Sequence, residues 1–161
     1  MSSETSRTAT GEVVVGLDGS PQSRQALRWA AQLARTFGAP ISAVTAWDYP
    51  TVYGLASPLA SWNPEDDMRH VQDEEIAAVF GDDPPRDLHR VLRAGSTAHI
   101  LLEASEGALV LVVGSRGHGG FVGLLLGSVS AAVAEHASCP VLIVHGDQAP
   151  PLVAGSAQSA T

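Results

Sequence analysis

Lysine is absent from this chain of 161 residues, in which all nine basic residues are arginine. Without lysine the protein cannot form a side-chain Schiff base, and it lacks the cation that a P-loop places on terminal phosphates. Enzymes that form a lysine Schiff base and P-loop enzymes that use a lysine are therefore excluded. The 17 acidic residues outnumber the basic ones and give a formal net charge of -8. Because such a charge repels a phosphate backbone, nucleic acid is not an expected partner.

Cysteine occurs once, at Cys139, and long apolar runs do not occur. A single cysteine cannot form an internal disulfide, so the expected compartment is a reducing cytoplasm. The apolar runs at residues 109–113 and 141–144 are far shorter than the ~20 residues of a membrane span. The first ten residues lack the apolar core of a signal peptide. We therefore expect a soluble protein with no membrane partner.

Recognised catalytic arrangements are also missing. The sequence has no G-x-S-x-G elbow, no H-E-x-x-H motif and no cysteine pair, and its six histidines lack metal-ligand spacing. Acidic residues do fall in two runs, Glu65-Asp66-Asp67 and Asp73-Glu74-Glu75. Since charge runs usually form the solvated face or the acidic start of a helix, we assign these carboxylates no chemistry.

The chain is long enough for one folded domain, and 45% of its residues are hydrophobic. Residues 1–10 and 147–161 are rich in small and polar residues without periodicity, which predicts flexible tails. The predicted domain, residues 11–146, alternates apolar runs with segments of helical periodicity. Predicted strands cover residues 12–17, 41–46, 88–93, 109–113 and 141–144, and predicted helices cover residues 21–37, 64–80, 97–105 and 128–137.

Strict alternation of this kind predicts an α/β fold: an open, doubly wound, five-stranded parallel sheet with helices on both faces. Only the segment of residues 48–63 breaks the pattern, since it is long, contains two prolines and shows no clear hydrophobic period. This segment is either a lid over a site beside the second strand or a variable surface loop.

Six glycines fall within fourteen residues after the fourth predicted strand, from Gly114 to Gly127. Glycine permits a positive φ, and it lets amide groups approach an anion without a side chain in the way. The last glycine and Ser128 lie where a helix begins, so the free amides and the helix dipole face whatever lies in front. The segment predicts a phosphate site, although such a loop can also serve only close packing.

The same segment resembles the nucleotide-binding motif of universal stress proteins, which is two glycines separated by two residues, then nine residues, then glycine and serine or threonine. Gly114, Gly117, Gly127 and Ser128 match every position. The resemblance extends to VVVGLDGS at the first strand, RAGSTAHILLEA after the third and AEHASCPVLIVHG at the end. It implies an adenine-nucleotide alpha hydrolase-like fold, bound ATP and a homodimer paired through the last strand.

Asp18 ends the first predicted strand, and ligands of doubly wound sheets lie at strand ends where the strand order reverses. With the first and fourth strands adjacent, as the resemblance implies, Asp18 would contact ribose hydroxyls or a Mg²⁺ ion on the phosphates. Its alternative role is a local Asp-Gly turn. The resemblance also implies backbone contacts from Val44 to adenine.

Arg116 and His118 lie between the glycines and can offset phosphate charge, His118 only when protonated. Both are alternatively solvated loop residues. Ser128 and Ser130 can donate to phosphate oxygens, and Ser128 can also cap the helix. The complete predicted site comprises Asp18, Val44, Gly114, Arg116, Gly117, Gly127, Ser128, Val129 and Ser130.

The leading functional hypothesis is an ATP-binding, nucleotide-responsive stress or signalling protein with little or no hydrolysis, which acts on a protein partner. The alternative is a slow ATPase or a nucleotidyl transferase, for which the sequence offers no dedicated base beyond Asp18 or His118. A third is an interaction module that has lost its ligand, against which the complete glycine motif argues.

Overall fold

Five strands alternate with four helices in the residues that the computed structural model describes, which are 11–48, 63–117, 123 and 125–151. The predictions for residues 1–10, 152–161, His118 and almost all of the 48–63 segment lie outside these residues. The strands are β1 (Val13–Gly16), β2 (Ile41–Trp47), β3 (Leu88–Ala94), β4 (Val110–Gly114) and β5 (Val141–Val144). The helices are α1 (Pro21–Phe37), α2 (Pro64–Phe80), α3 (Thr97–Ala104) and α4 (Ser128–His136).

The strands form one sheet in the order β3-β2-β1-β4-β5, and every neighbouring pair is parallel. The predicted fold class is thereby confirmed. From β1 the chain first builds outward through β2 to β3, and it then returns to the other side of β1 through β4 to β5. The order therefore reverses between β1 and β4, where the ends of two neighbouring strands diverge towards different helices.

Helix α1 begins and ends as its sequence predicts. The Ser20 hydroxyl accepts a hydrogen bond from the Ser23 amide at 3.1 Å, and Pro21 occupies the first helical position. Gly38 ends the helix with a φ of 62°, a left-handed conformation that favours glycine. The signals at the two ends set the bounds of the helix that follows β1, and hence the position of the turn between β1 and α1.

Apolar residues cover the sheet on both faces. Along β1, Val13 and Val15 pack in a core cluster with α1 and α2 residues such as Leu27 and Ile76. Val14 points to the opposite face, where it joins a second cluster with residues of α3 and α4. Because successive side chains of a strand alternate between faces, a continuous valine run is what a doubly covered central strand requires.

Helix α2 corrects one expectation about the acidic runs. Five of the six carboxylates are exposed as expected: Glu65, Asp66, Asp67, Asp73 and Glu74. Glu75 is instead fully buried, with Gln72 and Ile76 beside it on the inner face of the helix. Helical spacing explains the exception, since residues three and four apart lie on one side.

Candidate functional site

The ends of β1 and β4 lie side by side, because Val15 pairs with Val112 in the parallel register. Asp18 follows β1 by two residues, and Gly114 is the last residue of β4. Both therefore lie at the carboxyl edge of the sheet at the point where the strand order reverses, which is the usual ligand position in this architecture. The adjacency that the family resemblance implied is present.

Asp18 makes a local turn and also faces the loop after β4. Its Oδ1 accepts a hydrogen bond from the Ser20 amide at 3.0 Å, as the Asp-Gly turn alternative predicted. Its Oδ2 lies against the Cα of Gly117, where an added Cβ would overlap it. The exposed carboxylate thus lies between the β1–α1 turn and the glycine loop, and the turn and the predicted ligand role are compatible.

Gly114 lies where the end of β4 approaches helix α1 closely. A Cβ at Gly114 would lie 2.8 Å from the Cβ and 3.0 Å from the backbone carbonyl carbon of Gln22 in α1. The missing side chain therefore lets the first turn of α1 pack directly on the end of β4. These contacts support a packing role for Gly114, which is the alternative that the sequence left open for this loop.

A hydrogen-bonded neck closes the loop between Ser115 and Gly127. The Gly127 amide donates to the Ser115 carbonyl at 2.8 Å, and the buried Ser130 hydroxyl donates towards the same oxygen at 3.0 Å. The Ser115 amide in turn donates to the carbonyl of Val144 at 2.8 Å, which anchors the neck to β5. The Gly127 carbonyl also lies within hydrogen-bond distance of the Ser130 hydroxyl, at 3.1 Å, so this hydroxyl is used within the neck.

Helix α4 begins directly behind this neck. Gly127, not Ser128, is its N-cap residue, with a φ of -71° and a ψ of 168°. Glycine offers no capping side chain, so the first-turn amides of Ser128, Val129 and Ser130 are donors without acceptors inside the helix. In the described part of the loop a positive φ occurs at Gly123, at 107°, and at none of the motif glycines. A positive φ is therefore not the reason for glycine at Gly114, Gly117 or Gly127.

The remaining predicted residues differ in accessibility. Val44 is 1% exposed, its side chain packs in the core, and its carbonyl accepts from the Leu17 amide at 2.8 Å. Any contact from Val44 to a ligand would consequently involve the backbone only. Arg116 is exposed beside Gly117 at the start of the loop. The structure brings Asp18, Gly114, Arg116, Gly117 and the start of α4 to one edge, and it leaves the Val44 side chain in the interior.

Glu75 is a residue of this region to which the sequence analysis assigned no role. Its Oε2 accepts from the amide of Gly19 at 2.8 Å, and its Oε1 forms a short hydrogen bond with the Ser23 hydroxyl. Burial raises the pKa of Glu75, an effect that the bonds from Ser23 and Gly19 partly offset. The signal was its spacing, because Glu75 lies four residues before the apolar Val79 and so shares its face of the helix.

No group of three or more His, Cys, Asp or Glu side chains in the described residues is arranged to hold a metal ion. None of the helices in the same residues combines the length and the apolar character needed to cross a membrane.

Curated relatives of this chain include universal stress proteins of mycobacteria. One, from Mycobacterium tuberculosis, is 33% identical over 165 residues, which cover 92% of this chain and 55% of the relative. The chain thus spans about half the length of the curated relatives it matches.

Solved structures of universal stress proteins share the fold. One in complex with cAMP is 33% identical, with a TM-score of 0.57 over 84% of this chain and 96% of the other. Another, from Archaeoglobus fulgidus in complex with dAMP, is 20% identical, with a TM-score of 0.57 over 83% and 96%. A family model, described as the universal stress protein family, matches residues 10–145. With the parallel sheet and the complete glycine motif, this match shows that the chain belongs to the universal stress protein family.

Proposed function

We propose that the protein binds ATP at the carboxyl edge of the sheet, between the ends of β1 and β4. The observation that carries the proposal is the convergence of Asp18, Gly117 and the uncapped start of α4 on one edge. Amide donors and the positive end of the helix dipole suit a chain of phosphates. The 33% identical structure in complex with cAMP supports an adenine nucleotide as the ligand class.

The charges at the site define what each group does for the nucleotide. Asp18 is exposed and lies beside the loop, where its carboxylate would accept from ribose hydroxyls or hold a Mg²⁺ ion carried by the phosphates. Such an ion, when bound, neutralises the phosphate charge that Asp18 would otherwise repel. Arg116 adds the only permanent positive charge in the sequence between Gly114 and Ser130. The backbone amides supply most of the remaining donors.

Nucleotide occupancy would act on the loop between Ser115 and Gly127, and through it on recognition by a partner. The neck between Ser115 and Gly127 holds both ends of this segment next to the proposed phosphate site. A ligand that bonds to the amides at the neck favours the arrangements of the segment that present those amides. We therefore assign the protein a nucleotide-responsive binding role towards a protein partner, in preference to the alternative of a slow ATPase or nucleotidyl transferase.

Binding and turnover are tested on the same purified chain. We expect adenine nucleotide in the supernatant of freshly purified, denatured protein, and titration calorimetry with Mg-ATP to give a saturable heat. Turnover should be well below ~1 per second, the lower end of ordinary enzymes, because the sequence offers no dedicated base beyond Asp18 or His118. Failure of the parent chain to bind at millimolar ATP would refute the proposal, and turnover above that rate would favour the enzyme alternative.

The proposed assembly is a homodimer paired through β5. This short apolar strand is at an edge of the sheet, and its first three residues are only half-buried in the single chain. Unpaired backbone groups on such an edge favour pairing with a second copy, and two-fold pairs are the commonest soluble oligomers.

Sedimentation at tens of micromolar protein should give the mass of a dimer. Ile143→Asp, which adds a charge to the half-buried edge strand, should shift that mass towards the monomer. Glu106→Gln, a change at an exposed residue outside β5, is the matched control and should remain dimeric. A monomeric mass for the parent, with and without ATP, would contradict the assembly.

A further inference from the structure

A cleft of about 480 Å³ lies at an edge of the sheet, between α2 and β3. Among the described strands, β3 has a neighbour only on its β2 side, and α2 covers its face incompletely. Leu88 at the start of β3 is buried in the core, whereas Arg90 and Leu92, which follow it at alternate positions, line the cleft. The volume is within the ~300–1,000 Å³ of small-molecule sites. Because β2 separates β3 from β1 and β4, this cleft is distinct from the candidate nucleotide site.

Gln72 of α2 lines this cleft and is itself fully buried, with an exposed fraction of 0%. Its Nε2 donates to the Ala43 carbonyl at 3.1 Å and to the Thr45 hydroxyl at 3.0 Å, and it lies 3.3 Å from the Val91 carbonyl. Since a carbonyl can only accept, these contacts fix which end of the amide faces the strands. Oε1 is left at the other end, enclosed and without a donor from the described part of the chain.

A buried acceptor without a donor is uncommon and costly. Most buried polar atoms of side chains have a hydrogen-bond partner, and the lack of one costs ~1–3 kcal/mol. Turning the amide of Gln72 over does not remove the cost, because it would place Oε1 against two carbonyl oxygens. A donor group from a molecule bound in the cleft would complete the hydrogen bonding of this side chain.

The other side chains of the cleft carry both signs of charge. Arg69 and Arg90 contribute guanidinium groups, Asp73 contributes a carboxylate, and Leu92 contributes an apolar wall. The Nε of Arg90 bonds to Asp73 at 3.0 Å, and one terminal nitrogen of Arg69 bonds to Glu65 at 2.7 Å. A guanidinium has five N–H donors, so both arginines keep further donors for a ligand. The lining therefore suits a carboxylate and, beside Asp73, a cationic group.

We propose that this cleft binds a free α-amino acid with an apolar side chain. The carboxylate of the ligand lies on the guanidinium groups of Arg69 and Arg90, and its side chain packs on Leu92. The ammonium group lies between Asp73 and Oε1 of Gln72, and it supplies the missing donor once the half-exposed arginine side chains make room. A simple carboxylic acid would satisfy the guanidinium groups only, because its charge is repelled by Asp73 and it leaves Oε1 without a donor.

Titration calorimetry on the full chain at neutral pH tests the proposal with L-leucine as the probe. We expect a saturable heat with a Kd of about 1 mM or lower. N-acetyl-L-leucine lacks the ammonium group and L-leucinamide lacks the carboxylate, so each should bind about tenfold more weakly or worse. The measurement is made without added nucleotide, so its outcome does not depend on the proposed ATP binding.

Variants of the lining residues locate the binding. Arg90→Gln and Asp73→Asn change half-exposed side chains, and each should weaken L-leucine binding about fivefold or more. Glu74→Gln, at an exposed residue of the same helix outside the cleft, should match the parent within about twofold. Gln72→Leu removes the acceptor and should also lose about fivefold, and if it does not fold the two half-exposed variants decide.

Three results would each overturn the proposal. The first is a parent chain that gives no saturable heat up to about 20 mM L-leucine, in which case water is the partner of Oε1 of Gln72. The second is N-acetyl-L-leucine or L-leucinamide binding as tightly as L-leucine. The third is unchanged affinity in Arg90→Gln and Asp73→Asn variants that circular dichroism shows to be folded.

Discussion

Replacing Gly117 with valine is expected to reduce Mg-ATP affinity by tenfold or more, which is ~1.4 kcal/mol, with the fold retained. The reason is the contact between this glycine and Asp18. A Cβ at position 117 would overlap Oδ2, so either the carboxylate or the loop must move away from the proposed phosphate site. Gly117 is exposed, which lets the loop yield without disturbing the core. Calorimetry on the folded variant measures the loss.

A double-mutant cycle on the free energy of unfolding tests the contact to which that loss is attributed. Gly117→Ala introduces the same Cβ, and Asp18→Ala removes the carboxylate that it meets, so the two stability changes should not add. Arg116→Ala should lower affinity less than Gly117→Val, because salt and solvent screen an exposed charge. If the folded Gly117→Val variant binds as tightly as the parent, the assignment of the loop to the phosphates is wrong.

Gly114→Val is expected to be the most destabilising of the glycine substitutions, by about 3 kcal/mol in the free energy of unfolding. The new Cβ would lie 2.8 Å from the Cβ of Gln22 and 3.0 Å from its backbone carbon, both within a helix that cannot shift alone. Urea unfolding followed by circular dichroism measures the change through its midpoint.

Gly127→Ser serves as the matched comparison for stability. At this position the nearest atom to an added Cβ is 3.6 Å away, and the backbone already has a φ of -71°. Serine is also a preferred N-cap residue, so its stability should lie within about 0.5 kcal/mol of the parent. Equal destabilisation of the Gly114 and Gly127 variants would show that the packing of α1 on β4 is not the cause.

Most of the fold was predictable because its signals are local. Ser20, Pro21 and Gly38 mark the ends of α1, and the valine run of β1 indicates a strand covered on both faces. Element boundaries consequently differ from the predicted ones by a residue or so. The adjacency of β1 and β4 is different in kind: it came from the family resemblance, since no local pattern states which strands are neighbours.

The candidate site was predicted less completely, because several roles depend on contacts between distant segments. In the sequence Glu75 looked like one of six solvated carboxylates. Only its position on the buried side of α2, together with Ile76, distinguishes it. Gly114 matches a ligand motif, yet its contacts with α1 give it a packing role. The sequence likewise did not indicate that the Ser130 hydroxyl closes the neck of the loop.

That neck has a consequence for how such proteins can diverge. Its two ends are fixed by a 2.8 Å hydrogen bond between Gly127 and Ser115, and Ser115 is tied in turn to β5. Chain inserted between fixed ends has a closure cost that grows slowly, by about 0.6 kcal/mol for each doubling of length. Chain inserted between Gly117 and Gly127 should therefore cost the fold little, so the length of this segment can change while Gly117, the neck and the sheet are retained.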